Sequence, residues 1–413
     1  MATRITSKRA KVKLPDEVRG RRERVLRLNM LGRRRWNDTT GYPVFRTGAG
    51  GTVVIDPQYV GVWSLWRDGV TSSLLESFVN DKGVTALKYV HGWTARETPM
   101  GLAWGTMMHD VLYGLYELFP GLSHDAIMAG IAEPKGPIED ELSAYDAKWR
   151  ARNPDPSTEG LQTHYSCLAY ARAVLPSYIK RWIGDFTGKY SFMENTAVKP
   201  ASFISTEKEF RVPYVYPDGM CVWLRGKRDL VFRDKDGEEW IQDTKCLSQI
   251  NDREIIRFAP IDQQQNIYMY ARLIEGVRAG RGFDAMPMGN VKNIIRRPGE
   301  KRKEGEDFPA FMARVRGNVS DMSKWDVKDK KGTTGYFVRY MCQMPESELL
   351  DWAEGWLDPL MMELRMWYEG TIPNYTTQKG LSTKYGPSDM FAAIAEKNFN
   401  NLYVRDKPFP ELD

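Results

Sequence analysis

The chain has 413 residues, 42% of them hydrophobic, and a formal net charge of +5 at pH 7, which is enough for one elaborated domain or two around a substantial core. No uninterrupted apolar stretch approaches the length of a bilayer-spanning helix, and the N-terminus carries no apolar signal-peptide core, so neither a membrane protein nor a secreted one is expected. Cys167, Cys221, Cys246 and Cys342 are scattered along the chain, which fits a reducing compartment and predicts a cytoplasmic location.

Residues 1–60 read as a basic arm leading into loops that contain Gly48-Ala49-Gly50-Gly51. Thirteen Lys and Arg face only three acidic residues in the first thirty-six positions, so the remainder of the chain is net negative. Arg21, Arg22, Arg33, Arg34 and Arg35 are candidate DNA contacts, because clustered cations neutralise phosphates without regard to base sequence. On charge alone a solvated terminal helix or a disordered tail explains the arm equally well.

Residues 61–195 read as mainly helical, with loop-rich material at Glu133 to Pro137 and Arg152 to Thr158. Within them Gly105 to Tyr116 is an amphipathic helix that carries His109, one of four histidines. A single histidine on a helix is more often a satisfied core residue than a ligand. Thirteen tryptophans and twenty tyrosines mostly fall in helical patterns, where core packing is the default and stacking on unpaired bases the alternative.

Residues 196–345 carry the chemistry. Phe203 to Tyr216, Met220 to Arg233 and Glu239 to Leu247 read as three strands, separated by the turn signals Pro217-Asp218-Gly219 and Asp234-Lys235-Asp236-Gly237. With a three-residue second loop Asp229 pairs with Asp243; a residue either way makes the partner Gln242 or Thr244. Alternation puts Asp243 and Lys245 on one face of their strand and Thr244 on the other. Counting back across the first turn places Glu207 opposite Asp229, unless a bulge shifts so long a pairing. Two carboxylates and a lysine suit metal-assisted phosphodiester cleavage: hard oxygen ligands hold Mg²⁺, and the lysine orients or deprotonates the attacking water. Taken alone, the pattern fits an exposed charged hairpin just as well.

A helix follows, opened by Pro260 and running to Ile274, with Gln264 and Tyr268 four apart on the inward face with Ile261 and Ala271. Residues 298–335, dense in charge with Lys301-Arg302-Lys303 and Lys328-Asp329-Lys330-Lys331, form a charged insertion poor in core residues. A mobile surface loop is favoured there over a flap that grips DNA. In the last segment, 346–413, an amphipathic helix spans 345–368 with Leu349, Leu350, Trp352, Trp356, Leu357 and Met361. A polar tail follows Pro373.

In order along the chain, His109, Asp229 in Gly-Lys-Arg-Asp-Leu-Val, Asp243-Thr244-Lys245, and Gln264 with Tyr268 as Q-x-x-x-Y resemble the motifs of the PD-(D/E)xK nuclease superfamily in its RecB-like branch. Cas4-type proteins and many bacteriophage-encoded exonucleases are relatives in that branch. The resemblance covers about residues 100–275 and, by extension, implies later strands at Phe283 to Arg297 and Tyr336 to Met341. It implies an α/β fold with a restriction-endonuclease-like core, a mixed central β-sheet flanked by helices, and further helices towards both ends of the chain. It also implies metal-dependent cleavage of DNA in a bacterial cytoplasm. By the same resemblance His109, Asp229, Asp243 and the Thr244 backbone carbonyl bind one or two Mg²⁺ or Mn²⁺ ions, with Glu207 as a further ligand. Lys245 positions the water, and Gln264 and Tyr268 order the site and touch the DNA backbone.

Several relatives hold an iron-sulfur cluster with four cysteines, most near the C-terminus. No Cys-x-x-Cys occurs here and no cysteine follows Cys342, so neither a cluster nor a structural zinc is expected. No Gly-x4-Gly-Lys-Ser/Thr loop is present, so no nucleotide cofactor is expected; His-Glu-x-x-His and Gly-x-Ser-x-Gly are absent as well. The function expected is an exonuclease acting on duplex ends or single strands in recombination, repair or replication, alongside a separate annealing or recombination protein. An endonuclease or Cas4-like end-trimming factor is the alternative within the same chemistry, and a non-catalytic DNA-binding partner the alternative from another class.

Overall fold

The computed structural model describes residues 63–90, 92–119, 122–132, 136–187, 200–325 and 335–373, with five short strands elsewhere. Arg21, Arg22, Arg33, Arg34, Arg35 and the 328–331 charge run lie outside the described residues.

Five strands form one mixed sheet in sequence order: β1 Pro200–Val215, β2 Cys221–Asp234, β3 Glu239–Leu247, β4 Gly289–Arg296 and β5 Phe337–Gln343. β1 to β3 form an antiparallel meander because both connections are tight turns. At the first, Gly219 takes φ 84 and its N–H donates to the Tyr216 carbonyl at 2.8 Å, a conformation that costs glycine nothing. At the second, the Asp234 side chain accepts from the Asp236 and Glu238 amides at 2.9 and 3.0 Å, closing an Asx turn. β3 and β4 are parallel, which requires a long crossover.

That crossover contains Asp252–Phe258 and the helix Gln263–Arg278. The expected start at Pro260 is corrected: Ala259–Ile261 is a 3-10 turn, and the α-helix begins at Gln263, where the Asp262 side chain accepts from the Gln265 amide. Asp262 wins because a side-chain acceptor satisfies an orphan helical amide, whereas proline only tolerates the position. Ile261 is consequently outside the helix and 61% exposed, not on its inward face.

Two hydrophobic cores flank the sheet, and alternate residues of β3 feed them: Ile241 the first, Cys246 the second. The first joins α1 (Ser72–Asn80), the crossover helix Gln263–Arg278, and the C-terminal helices through Leu75, Phe78, Ile267, Leu273, Leu349 and Leu364. The second joins α2 (Met100–Leu118), α3 (Pro137–Arg152) and α4 (Thr158–Arg181) through Met107, Leu112, Leu142, Leu168, Val174 and Tyr178. With α1 to α4 thus assigned, the crossover helices Asp252–Phe258 and Gln263–Arg278 are α5 and α6. The α/β architecture with a mixed sheet between helical layers is as expected.

The insertion departs from expectation. Phe308–Ser320 is a helix, α7, capped by Asp307, and Phe311, Val315, Val319 and Trp325 are buried in the second core. Its apolar stripe has helical spacing, but the surrounding basic residues hid it. Phe311→Ala is expected to destabilise the protein by about 3 kcal/mol, measured by urea unfolding; a surface loop would tolerate the change at no cost. The expected helix over 345–368 is divided into α8 (Glu346–Trp352), a wide π turn (Ala353–Leu357) and α9 (Asp358–Tyr368). Pro359 has no N–H for the ladder, so the turn ahead of it widens. Tyr403–Arg405 from the tail pairs antiparallel with Trp93–Ala95. Among the described residues no helix is long and apolar enough to cross a membrane.

Candidate active site

The β2–β3 ladder runs from Arg233↔Glu239 to Leu230↔Gln242 and stops there. That register continues to Asp229 opposite Asp243, the pairing expected for a three-residue loop. Beyond it the strands part. The Thr244 N–H, instead of meeting β2 backbone, donates to Asp229 Oδ2 at 2.6 Å. On the other side of β2, Thr206↔Leu230 and Lys208↔Arg228 bracket Glu207, which lies opposite Asp229 as counted. The register shifts fall at 200–205, away from the site. Glu207 itself has φ 41, the one non-glycine with positive φ among the described residues. Such a conformation is held only where the surroundings over-determine it.

Because the strands part here, helices from both layers reach the same place. From α2, His109 Nδ1 lies 3.4 Å from Glu207 Oε1 and 3.5 Å from Asp229 Oδ2. One donor atom from each of the three residues falls within 4.8 Å of the others. Asp243 stands beside this trio, not within it. It is buried, with Oδ1 3.0 Å from Lys245 Nζ and Oδ2 3.4 Å from Gln265 Nε2. The Lys245 contact is an ion pair, and Oδ1 has no other donor beside it among the described residues. From α6, Gln264 Oε1 accepts from Lys245 Nζ at 2.5 Å while Gln264 Nε2 donates to the Tyr268 hydroxyl at 2.7 Å. Gln264 thus has the polar partner that its inward position demands.

The electrostatics follow from this crowding. Burial lifts the Asp229 carboxyl to about 7, against the opposing pull of His109 and with added repulsion from Asp243 and Glu207. Burial alone would depress His109, but Asp229 and Glu207 overcome it and raise the imidazole to about 9. Burial would raise Glu207; hydrogen bonds and charge from His109 and Lys227 hold it below the usual carboxylate range. Lys245 is half-buried, and the lost hydration opposes its charge, yet Asp243 and Asp229 push its pKa well above the ordinary lysine value. Of the two roles expected for Lys245, an ammonium so stabilised suits orienting a water and not deprotonating it.

Two carboxylates suit a hard divalent cation such as Mg²⁺ or Mn²⁺, while the imidazole suits softer members of the series; Asp243, beside the trio, could offer a further oxygen. Glu207, the weakest of the ligand candidates in the sequence, is among the three residues brought closest together. Thr244 contributes its amide to Asp229 and turns its side chain to the opposite face, where Oγ1 accepts from Asn293 Nδ2 at 3.1 Å.

Lys227, within the Gly-Lys-Arg-Asp motif, also turns to the site. It lies two residues before Asp229, hence on the same side of β2, and its Nζ is 2.8 Å from Glu207 Oε2. Arg228 between them turns away to Glu275 and over the Phe210 ring. The motif glycine has a packing cause: a Cβ on Gly226 would lie 2.6 Å from Phe210 and 3.2 Å from Tyr268, whose rings meet edge to face at 5.5 Å. Lys227 and Lys245 also line a cleft of about 690 Å³ with Ser72, Ser73 and Asn80 of α1 and Gln263 and Gln264 of α6. The α1 side of that cleft had no signal in the sequence, since it is far along the chain from the motifs it faces. No protein-family model matches the chain, and no curated protein matches it.

Proposed function

We propose that this protein is a metal-dependent deoxyribonuclease, an exonuclease acting on DNA ends. What carries the reading is the convergence of His109, Glu207 and Asp229 within 4.8 Å of one another, beside the Asp243 and Lys245 ion pair. His109, Glu207, Asp229, Asp243 and the Thr244 carbonyl would hold Mg²⁺ or Mn²⁺. A bound ion of this class neutralises phosphate charge and makes water more acidic.

The side chains supply the rest. Lys245, kept charged by its carboxylate neighbours and aimed by Gln264, orients the attacking water; the water loses a proton to solvent and its oxygen bonds to phosphorus as the bond to the sugar oxygen breaks, and that oxygen leaves with a proton taken from solvent. Because the Lys245 ammonium only donates, the Gln264 oxygen must face it, and the Gln264 nitrogen then faces Tyr268, whose hydroxyl accepts. Lys227 and the hydroxyls of Ser72 and Ser73 suit contact with a strand's phosphates along the cleft. The choice of ends over internal sites rests on the resemblance to phage exonucleases. DNA, with a separate annealing or recombination protein, is the partner proposed.

The test is incubation of the purified protein with end-labelled linear duplex, single-stranded and closed circular DNA in Mg²⁺, Mn²⁺ or EDTA, beside Asp243→Ala. Loss of linear DNA with circles spared, in metal only and not with the variant, is the expected result. Nicked circles would make it an endonuclease. Binding without cleavage under every metal would move the protein to the non-catalytic class.

A further inference from the structure

Behind the Asp243 and Lys245 strand, on the face those two side chains do not use, lies a row of buried polar residues. The registers place Thr244 beside Asn293 of β4 and Asn293 beside Arg339 of β5. Arg339 Nε donates to Asn293 Oδ1 at 2.9 Å, and Asn293 Nδ2 donates to Thr244 Oγ1 at 3.1 Å and to the Tyr178 hydroxyl at 2.8 Å. Because a guanidinium only donates, the amide oxygen of Asn293 must face Arg339, and its nitrogen must then face Thr244. Arg339 is held in turn by both oxygens of Asp185, in the short helix Ile183–Thr187, and stacks 4.1 Å over Trp182. The Tyr178 hydroxyl bonds that of Tyr116 at 3.0 Å, and Tyr116 lies two turns beyond His109 on α2. Asn293, Tyr178 and Asp185 are 4% exposed or less, and the Arg339 side chain is 2% exposed.

Such a row is a poor way to gain stability. A buried ion pair loses in desolvation much of what it gains in attraction, and apolar residues of similar volume often do as well. What it does achieve is placement. Thr244 is gripped at two points by side chains, its hydroxyl by Asn293 and its amide by Asp229, at the spot where the β2–β3 ladder has ended and backbone pairing holds the strand from the β4 side alone. The peptide so fixed lies between Asp243 and Lys245.

We propose that Asn293, oriented by Arg339, is a positioning residue for cleavage: it sets the Thr244 peptide and through it the placement of Asp229, Asp243 and Lys245. The inference rests on the nuclease reading above. Partners of this kind, one step behind metal ligands, carry ten- to a hundredfold effects on metal affinity or activity.

Asn293→Leu and Thr244→Val remove the grip from either side; Tyr178→Phe serves as the control, since it removes the hydroxyl's bonds with Asn293, Tyr116 and Arg339 and leaves Asn293 to Thr244 intact. Each is measured for thermal stability, for kcat and KM on linear DNA, and for Mg²⁺ affinity by calorimetry. Both gripping variants are expected to lose about 10- to 100-fold in kcat with KM unchanged, and to bind Mg²⁺ about tenfold more weakly. Tyr178→Phe should lose stability with kcat and affinity near wild type. If Asn293→Leu does not fold, Thr244→Val, isosteric and well suited to a strand, decides alone. Wild-type kcat and affinity in Thr244→Val, or losses in Tyr178→Phe as large as in the gripping variants, would overturn the inference. An unsubstituted protein that binds Mg²⁺ but cleaves nothing would sink the nuclease reading instead. The affinities alone then decide, with weakening in both gripping variants as support and equal values as refutation.

Discussion

Lys245→Ala is expected to lower the cleavage rate about 10³-fold, the scale of removing one preorganised charge from a reacting centre. DNA binding should stay within a few-fold, because Lys227 and the α1 side of the cleft remain. The loss exceeds that of a single hydrogen bond because the ammonium is held in place by Asp243 at 3.0 Å and Gln264 at 2.5 Å, so water cannot take its role without reorganising the site. Lys245→Arg should not restore the rate: a planar fork cannot occupy the position of a compact ammonium between a carboxylate and an amide. Asp243→Ala should be as damaging and also release Lys245. Since the two act as a pair, the double variant should be scarcely worse than either alone. Single-turnover cleavage of a labelled duplex measures all of these. Retained cleavage by both Lys245→Ala and Asp243→Ala would remove the assignment.

The second large effect is linked to pH. A divalent ion and protons compete for the same atoms, since His109 must be neutral and Asp229 ionised to act as ligands. His109 is raised to about 9 and Asp229 to about 7, so Mg²⁺ affinity should climb from pH 6 to pH 8.5 by roughly tenfold per unit while His109 alone titrates, and more steeply below pH 7. Stability without the ion runs the opposite way. The stabilisation from protonated His109 is complete below the unfolded imidazole value and disappears as pH rises through about 9. The buried Asp229 carboxylate is a penalty that sets in above the unfolded carboxylate range and is complete above about 7. Added Mg²⁺ should therefore raise the melting temperature little at pH 6 and by several degrees at pH 8.5, where a concentration about 100 times Kd contributes ~2.7 kcal/mol. Asp229→Asn should abolish the shift. A shift of equal size at both pH values, or one that survives Asp229→Asn, would show that the ion binds elsewhere.

Much of the site was legible because strand geometry is periodic and the turns are short. Gly219 and Gly237 close both hairpins where the turn signals fell, so counting across them brought Asp229 opposite Asp243 and Glu207 opposite Asp229 without any tertiary knowledge. The same alternation separated Thr244 from Asp243 and Lys245. Helical spacing put Gln264 and Tyr268 on one face, and their 2.7 Å hydrogen bond is what that spacing allows. Where the reading went astray, a local signal competed with a stronger one. Pro260 looked like a helix start until the Asp262 side chain capped the next turn, and the charges of 298–335 concealed the stripe of Phe311, Val315 and Val319.

By itself the sequence determined the three-strand meander, its register, and the order of Asp229, Asp243, Lys245, Gln264 and Tyr268, because each depends on residues close in the chain whose geometry is set by backbone period and turn length. Only the tertiary structure decided which ligand candidates converge. That His109 meets Glu207 and Asp229 while Asp243 is engaged by Lys245 and Gln265 depends on where the β2–β3 ladder stops and on two helical layers meeting at the gap. The grip of Asn293 on Thr244, the return of Lys227 to Glu207, and the cleft wall from α1 are of the same kind. They join segments tens to more than a hundred residues apart, and it is the packing of the two cores against the sheet, not any local preference of the chain, that sets those distances.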